Sequence, residues 1–413
     1  MKNDYETAQS VYSANYHIDD FELIDVVWAT YISANRPGLP LWLRIKGPPS
    51  FTKTTTTDGM STMKSTLLVS GLTDNTLFTG MKGAKPLAPL LNGKVMIMND
   101  ASSLQSLNAD KRAKIYSQLR DLYDGDYAHY FGGEIPFNIG HSRFGMIWAC
   151  TRAIEDDAMF NQRLGERFLD VCVRNEHRVE KTRQSIANLS TINAVKDTIR
   201  KSTNAFLEPL WKTPTPISPA TTDQINEVIS LSDFVSRAMT PCVRERTGKQ
   251  DIVQIPEPNG PMRLGAQLLR LGSSLAEVRG VSSIGEKEID TIKRVAIDGI
   301  QLERRRILDI VKNHPIIRNG TIANNLGLSR AVVQRKVSEL VLLKLLDADA
   351  DGKVKFGTQL INPTNTSNDE REKFTYTLSD ISKRTLVCNE DGVQQHLEIV
   401  DRSEVEDDID GKN

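Results

Sequence analysis

The spacing of apolar positions changes several times along the chain, and each change marks an element. Phe21, Leu23, Ile24, Val27 and Trp28 recur near helical spacing, and Arg36-Pro37-Gly38 closes that element as a turn. An apolar strand follows in Leu41-Trp42-Leu43-Arg44-Ile45, and a shorter one in Thr66-Leu67-Leu68-Val69-Ser70, ending at Gly71. Lys94-Val95-Met96-Ile97-Met98-Asn99-Asp100 is apolar without alternation, as expected of a strand buried on both faces of a parallel sheet. Asn108 then caps an amphipathic helix on which Ile115, Leu119 and Leu122 share a face, and Asp124-Gly125 stops it. Residues 127–131 and 135–139, on either side of Gly132-Gly133, read as a hairpin. Phe144-Gly145-Met146-Ile147-Trp148-Ala149-Cys150 is a further strand.

Beyond residue 177 the period is helical. A polar stretch to about 205 leads into the connector Thr213-Pro214-Thr215-Pro216-Ile217-Ser218-Pro219. Helical patterns follow near 222–246 and 261–280, the second with Leu264, Leu268, Leu271 and Leu275 as its stripe. Residues 286–358 make a clearer module. A helix with Arg304-Arg305-Arg306-Ile307-Leu308 precedes Thr321-Ile322-Ala323-Asn324-Asn325-Leu326-Gly327-Leu328-Ser329-Arg330, which reads as short helix, glycine turn and N-capping serine. In the next helix Val333, Val337, Leu340 and Val341 face inward while Ala331, Gln334, Arg335 and Ser338 face away, a helix-turn-helix pattern. Residues 346–356, broken by Asp351-Gly352, form a hairpin wing carrying Lys353 and Lys355.

Composition narrows the classes. The 413 residues suggest roughly two or three domains. A net charge of −1 excludes a globally basic protein, so any nucleic-acid surface is local. Cys150, Cys172, Cys242 and Cys388 form no C-x-x-C pair, which excludes a zinc knuckle and gives no disulfide framework. The polar N-terminus and the lack of a long apolar run predict a cytoplasmic protein without a membrane partner. The acid-rich end, Glu404-Val405-Glu406-Asp407-Asp408-Ile409-Asp410, reads as a disordered, solubilising tail.

The candidate chemistry follows the first strand. A phosphate-cradling loop reads G-x-x-x-x-G-K-[ST], and Gly47, Lys53 and Thr54 stand in its register. Loop N–H groups point at phosphates, the lysine spans the β- and γ-phosphates, and the hydroxyl binds Mg²⁺. Thr52 occupies the second glycine position, where a Cβ disfavours positive φ and crowds the phosphates. Gly47, Pro48, Ser50, Thr52, Lys53, Thr54 and Thr55 are the candidate ATP contacts, with Thr54 and Asp100 as Mg²⁺ ligands. Asn99-Asp100 ends its strand where α/β proteins place ligands, with one carboxylate instead of an acidic pair. The bland alternatives are a threonine-rich turn with an incidental Lys-Thr, and an Asp100 that only ends a strand.

Taken in order, the loop, the acid-ended strand, the hairpin, a strand ending at Thr151 and the segment Leu164-Gly165-Glu166-Arg167-Phe168 resemble an AAA+ ATPase core. The group resembled includes minichromosome-maintenance helicases and enhancer-binding activators. The resemblance implies an α/β fold with a parallel-sheet P-loop core, a small helical lid and a C-terminal winged helix. It matches Thr151 to sensor 1, Arg167 to the arginine finger and Arg263 to sensor 2, beside Asn99 and Asp100 as catalytic candidates. It also implies a homo-oligomeric ring, expected to be a hexamer, and a hairpin that touches DNA. The winged module resembles those of transcription regulators, with Arg330, Gln334, Arg335, Lys353 and Lys355 as DNA contacts; a winged helix used for protein contact is the alternative. The expected domains are 1–176 (core), 177–285 (lid and linker), 286–360 (winged helix) and 361–413 (acidic tail). The expected function is an oligomeric ATPase acting on DNA, helicase- or replication-initiator-like. The alternative is a DNA-binding scaffold or transcription regulator whose ATPase core is degenerate.

Overall fold

The computed structural model describes residues 2–356 except 19, 50–52, 80, 82, 84, 132–136, 157–163, 175–176, 246–250, 254–256, 315 and 349–352. The tail expected over 361–413 and the wing turn at Asp351-Gly352 lie outside the described residues.

Five strands build one parallel sheet: β1 (Trp42–Lys46), β2 (Thr66–Leu68), β3 (Val95–Met98), β6 (Gly145–Cys150) and β7 (Phe168–Cys172). Their spatial order is β2-β3-β6-β1-β7. In register, Lys46 lies between Cys150 and Cys172, and Trp42 between Met146 and Phe168. The C-terminal ends of β1, β6 and β7 therefore share one edge. Strand β7 went unread in the sequence because Asp170 interrupts its apolar run. A separate antiparallel pair, β4 (Asp126–Tyr130) and β5 (Phe137–His141), is the expected hairpin.

Alternation divides the sheet into two faces. Leu43, Ile45, Ile97, Ile147 and Val171 look one way; Trp42, Met96, Met98, Trp148 and Phe168 look the other. The second face packs on the helix α4 (Ala109–Asp124), capped as expected by the Asn108 side chain, which accepts from Lys111 N at 2.9 Å, and ended by Gly125 at φ +100°.

The first face carries a thick helical layer. Its centre is α2 (Phe21–Ser33), buried from Leu23 onward. Around it lie α1 (Lys2–Tyr16), the six-residue α3 (Lys53–Asp58), α5 (Arg178–Ala187), α6 (Ile192–Lys212), α7 (Thr222–Met239), α8 (Met262–Val278) and α9 (Glu286–Asp298). The predicted stripe of α8 is buried, and this helix packs along α2. One continuous apolar cluster joins α1, α2 and the helices α6 to α9 to the sheet, and it runs on through Ile307, Val333 and Val354. Helix α9 packs on β7, α7 and α8.

The C-terminal module starts at α10 (Leu302–Lys312) and continues through β8 (Ile317–Arg318), α11 (Asn319–Leu326), α12 (Arg330–Leu342), β9 (Leu346–Ala348) and β10 (Lys353–Phe356). Its strands pair antiparallel in the order β8-β10-β9. Gly327 ends α11 at φ +64°, a left-handed position that glycine adopts without strain, and the Ser329 hydroxyl caps α12 by accepting from Val332 N at 3.4 Å.

Candidate functional site

The loop after β1 is anchored on both neighbouring strands. Gly47 N donates to Cys150 O at 3.2 Å, and Val173 N donates to Lys46 O at 2.8 Å. A Cβ on Gly47 would lie 3.2 Å from the Val173 side chain, so close packing favours glycine here. Lys53 opens α3 and is only 8% exposed. Its ammonium turns back onto the loop, donating to Gly47 O at 2.8 Å and to Pro48 O. Burial pulls this ammonium below the ordinary lysine value, with Cys150 and Asp100 opposing. The Cys150 thiol is itself pushed up to about 11 by burial and stays neutral at pH 7, so the anionic influence on Lys53 is Asp100.

The threonine run is divided in its tasks. Thr54 is exposed and Thr55 half-buried, while Thr56 and Thr57 are buried. Thr56 and Thr57 donate back to Lys53 O (2.7 Å) and Thr54 O (3.0 Å). The Thr57 hydroxyl also reaches Asn99 Oδ1 at 2.8 Å, tying α3 to the tip of β3. Asn99 is thus an anchor between two elements, and Asp100 beside it is exposed. Ser50 and Thr52 lie outside the described residues. Because β6 lies between β1 and β3, Thr151 emerges on the same edge, half-buried, at the head of the 3-10 turn Arg152–Asp156. Thr54 and Asp100 offer the oxygen ligands that a hard cation takes alongside water. Among the described residues, no group of three or more His, Cys, Asp or Glu side chains is arranged to hold a metal.

Behind the loop lies a charge cluster that the sequence did not announce. On the α4 face of β1, Arg44 grips Asp170 of β7 through Nε at 2.6 Å and Nη2 at 2.8 Å. Two residues on, the 1%-exposed Lys46 reaches Glu155 Oε1 at 2.7 Å, Asp170 Oδ2 at 3.3 Å and Asp298 O at 2.8 Å. Asp298, the last residue of α9, accepts from Cys172 N at 2.7 Å and from Arg305 Nη1 at 2.6 Å. Charges this deep are tolerated because each is bonded; removing one partner of such a pair costs about 3–5 kcal/mol. The pairs span up to 252 positions in sequence, so no local pattern could reveal them.

Arg167 and Arg263 lie elsewhere. Arg167 directly precedes Phe168, which pairs with Trp42, whereas the loop follows Lys46. A strand's length, roughly 13 Å, thus separates Arg167 from the loop. Both guanidiniums face the Tyr123 ring, at 5.5 and 6.0 Å from its centroid. Arg167 Nη2 is 3.3 Å from Asp124 Oδ2, and Arg263 Nη1 is 4.0 Å from Glu166 Oε2. Gln267 of α8 joins them, donating to Tyr123 OH at 2.9 Å and Arg167 O at 3.0 Å. Burial pulls the Arg167 guanidinium down, and neighbouring Arg263 adds to it.

In the C-terminal module Arg330, Gln334 and Lys355 are exposed and Lys353 is half-buried. Lys353 and Lys355 flank the buried Val354, so they share the outer face of β10; Arg318 stands opposite Lys353 and Asp347 opposite Lys355. Arg318, exposed in a strand of two residues, thus places a further cation beside Lys353. Arg335 is half-buried, and its carbonyl accepts from Arg244 Nη2 at 2.7 Å. The same Arg244 nitrogen lies 3.1 Å from Ser338 Oγ, so Ser338 faces a neighbouring segment rather than outward. Arg304 is internal: its Nη2 binds Glu339 Oε2 at 2.9 Å, and its Nη1 donates to Ala238 O and Thr240 O, both at 2.7 Å.

No protein-family model matches the chain, and comparison with curated proteins likewise finds no match. Among the described residues, no helix is long and apolar enough to cross a membrane.

Proposed function

We propose that the chain is an ATP-binding, DNA-associated protein of the AAA+ kind, a cytoplasmic oligomeric ATPase with a C-terminal winged helix. The observation that supports this most is the strand order. With β6 between β1 and β3, the edge that carries Lys53 and Thr54 also carries Thr151 and Asp100, which are 46 to 98 positions away in sequence. The residue types at that edge suit a triphosphate; the fold alone would be only an analogy.

Bound ATP with Mg²⁺ supplies a γ-phosphoryl group for transfer to water. In this reading Lys53 exchanges its bonds to Gly47 O and Pro48 O for phosphate oxygens, and Thr54 and Asp100 hold the cation. Thr151 orients the attacked group, while Asn99 and Thr57 keep β3 and α3 in place. Arg167 and Arg263, remote from their own loop, serve the nucleotide of the next subunit in a ring, a hexamer by the resemblance. The hairpin β4–β5 and the cations Arg318, Arg330, Arg335, Lys353 and Lys355 take DNA phosphates, with Gln334 at base edges.

A second reading is a DNA-binding scaffold or regulator with a silent core. Two observations favour it: the Lys53 ammonium is engaged by its own loop, and Asp100 is the one carboxylate at the tip of β3. The separating experiment measures ATP binding and hydrolysis, with and without duplex DNA, for wild type and Lys53→Ala. The ATPase reading expects at least tenfold weaker ATP binding and no DNA-stimulated turnover in the variant. Wild type that binds no ATP, or binds it without hydrolysing it, overturns the ATPase reading and leaves the scaffold reading standing.

A further inference from the structure

We propose that Glu155 couples the nucleotide edge to the helix that carries the DNA contacts, making it a positioning residue for nucleotide-controlled DNA binding. The inference rests on the preceding reading of both sites and adds the wiring between them.

Glu155 stands in the 3-10 turn directly after Thr151, so a shift at the tip of β6 moves it. One carboxylate oxygen holds Lys46, the residue before the loop, at 2.7 Å. The other accepts from Leu302 N, the first residue of α10, at 3.2 Å. Gln301, the residue before that helix, caps nothing with its own side chain. The cap is supplied by Glu155 from another part of the molecule, where a carboxylate also suits the helix dipole. The freed Gln301 amide instead bridges outward. Its Nε2 donates to Glu155 O at 3.0 Å, and its Oε1 lies 3.5 Å from Lys336 Nζ on α12. Lys336 is 3.6 Å from Glu339 Oε2, which Arg304 of α10 holds at 2.9 Å. Gln334 and Arg330 belong to the same helix as Lys336.

A contiguous polar path thus runs from β6 through Glu155 and Gln301 into α12, with Lys46 and Asp298 bracing its start. Such a path carries coupling only if both ends bias the same element. Here that element is the seat of α10 on Glu155. A merely structural weld would leave the nucleotide response of DNA binding unchanged when it is loosened.

The experiment uses the full chain, a labelled DNA duplex read by fluorescence anisotropy, and saturating non-hydrolysable ATP analogue. ATP affinity is measured in parallel by direct titration. Wild type is expected to change its DNA affinity by about fivefold or more on binding the analogue. In Glu155→Gln the change falls below about twofold, while analogue affinity and nucleotide-free DNA affinity stay within about twofold of wild type. Gln301→Ala, which keeps the Glu155–Lys46 pair and removes the link to Lys336, shows the same loss and keeps the test informative if Glu155→Gln does not fold. A full nucleotide response in either folded variant overturns the coupling, as does a wild type that binds the analogue without any DNA response. Failure of wild type to bind the analogue is seen separately in the titration, and it overturns the proposed function together with this inference.

Discussion

Asp309 lies on α10 where burial pushes its carboxyl from the ordinary 3.8 up to about 6, with Lys312 and Arg305 pulling the other way. Between those values the folded chain binds the extra proton, so this group's contribution to stability falls as pH rises through the window. Glu155 and Glu339 act in the opposite sense. Burial pushes each up, but Lys46 and Arg304 respectively hold them below the usual carboxylate value. Their contribution is present above that value and is lost as acid protonates them. Asp309→Asn should therefore stabilise the protein by about 1–2 kcal/mol at pH 7, with the gain gone at pH 4. Urea denaturation at the two pH values checks this, and equal stability of variant and wild type at pH 7 would contradict it. The same scale shows what a residue list hides. Arg44 and Lys46 sit in a run that reads as apolar, and only Asp170 and Glu155, arriving from distant strands and turns, make their burial intelligible.

Local signals located the elements where caps and turns were strong. Asn108, Gly125, Gly327 and Ser329 all end or begin helices at the expected places. Helix α1 is mostly polar, so its apolar positions gave no stripe to place it, yet it docks closely on α6. One contact is the Tyr12 hydroxyl, 3.0 Å from the Thr203 hydroxyl. Gly59 makes room for that pair: a Cβ there would lie 2.2 Å from the Tyr12 oxygen and 2.6 Å from the Thr203 oxygen. Gly59→Ala should break the contact and cost about 1–3 kcal/mol, seen as a lower urea midpoint and faster amide exchange in α1. Unchanged exchange in α1 would show that its docking does not depend on this gap. Strand β7 was hidden by Asp170, and the packing of α9 on β7 was not legible because an amphipathic helix does not say which surface it covers.

For the whole molecule, the net charge of −1 conceals an uneven distribution. Residues 357–413 carry 13 acidic and 6 basic side chains, so the remainder of the chain is net positive. If Arg318, Arg330 and Lys355 meet phosphates, DNA affinity should fall by about tenfold or more between 50 and 200 mM salt. Arg330→Ala should lower the slope of log K against log salt by about one. Titrations across that range decide it, and salt-independent association would remove DNA from the account.

The sequence by itself determined what neighbours in the chain can determine: helix caps, the loop with Gly47, Lys53 and Thr54, the apolar strands, and the short-helix, turn and helix order at 319–342. These depend on contacts a few residues long. The tertiary structure alone decided the strand order that brings Thr151 and Asp100 to the edge bearing Lys53. It also put Arg167 and Arg263 together at the far side, and bound Lys46 to Glu155 and Asp298. Those outcomes depend on which buried faces meet, a choice made by packing and by pairing of desolvated charges over a hundred or more residues, and no periodicity records it.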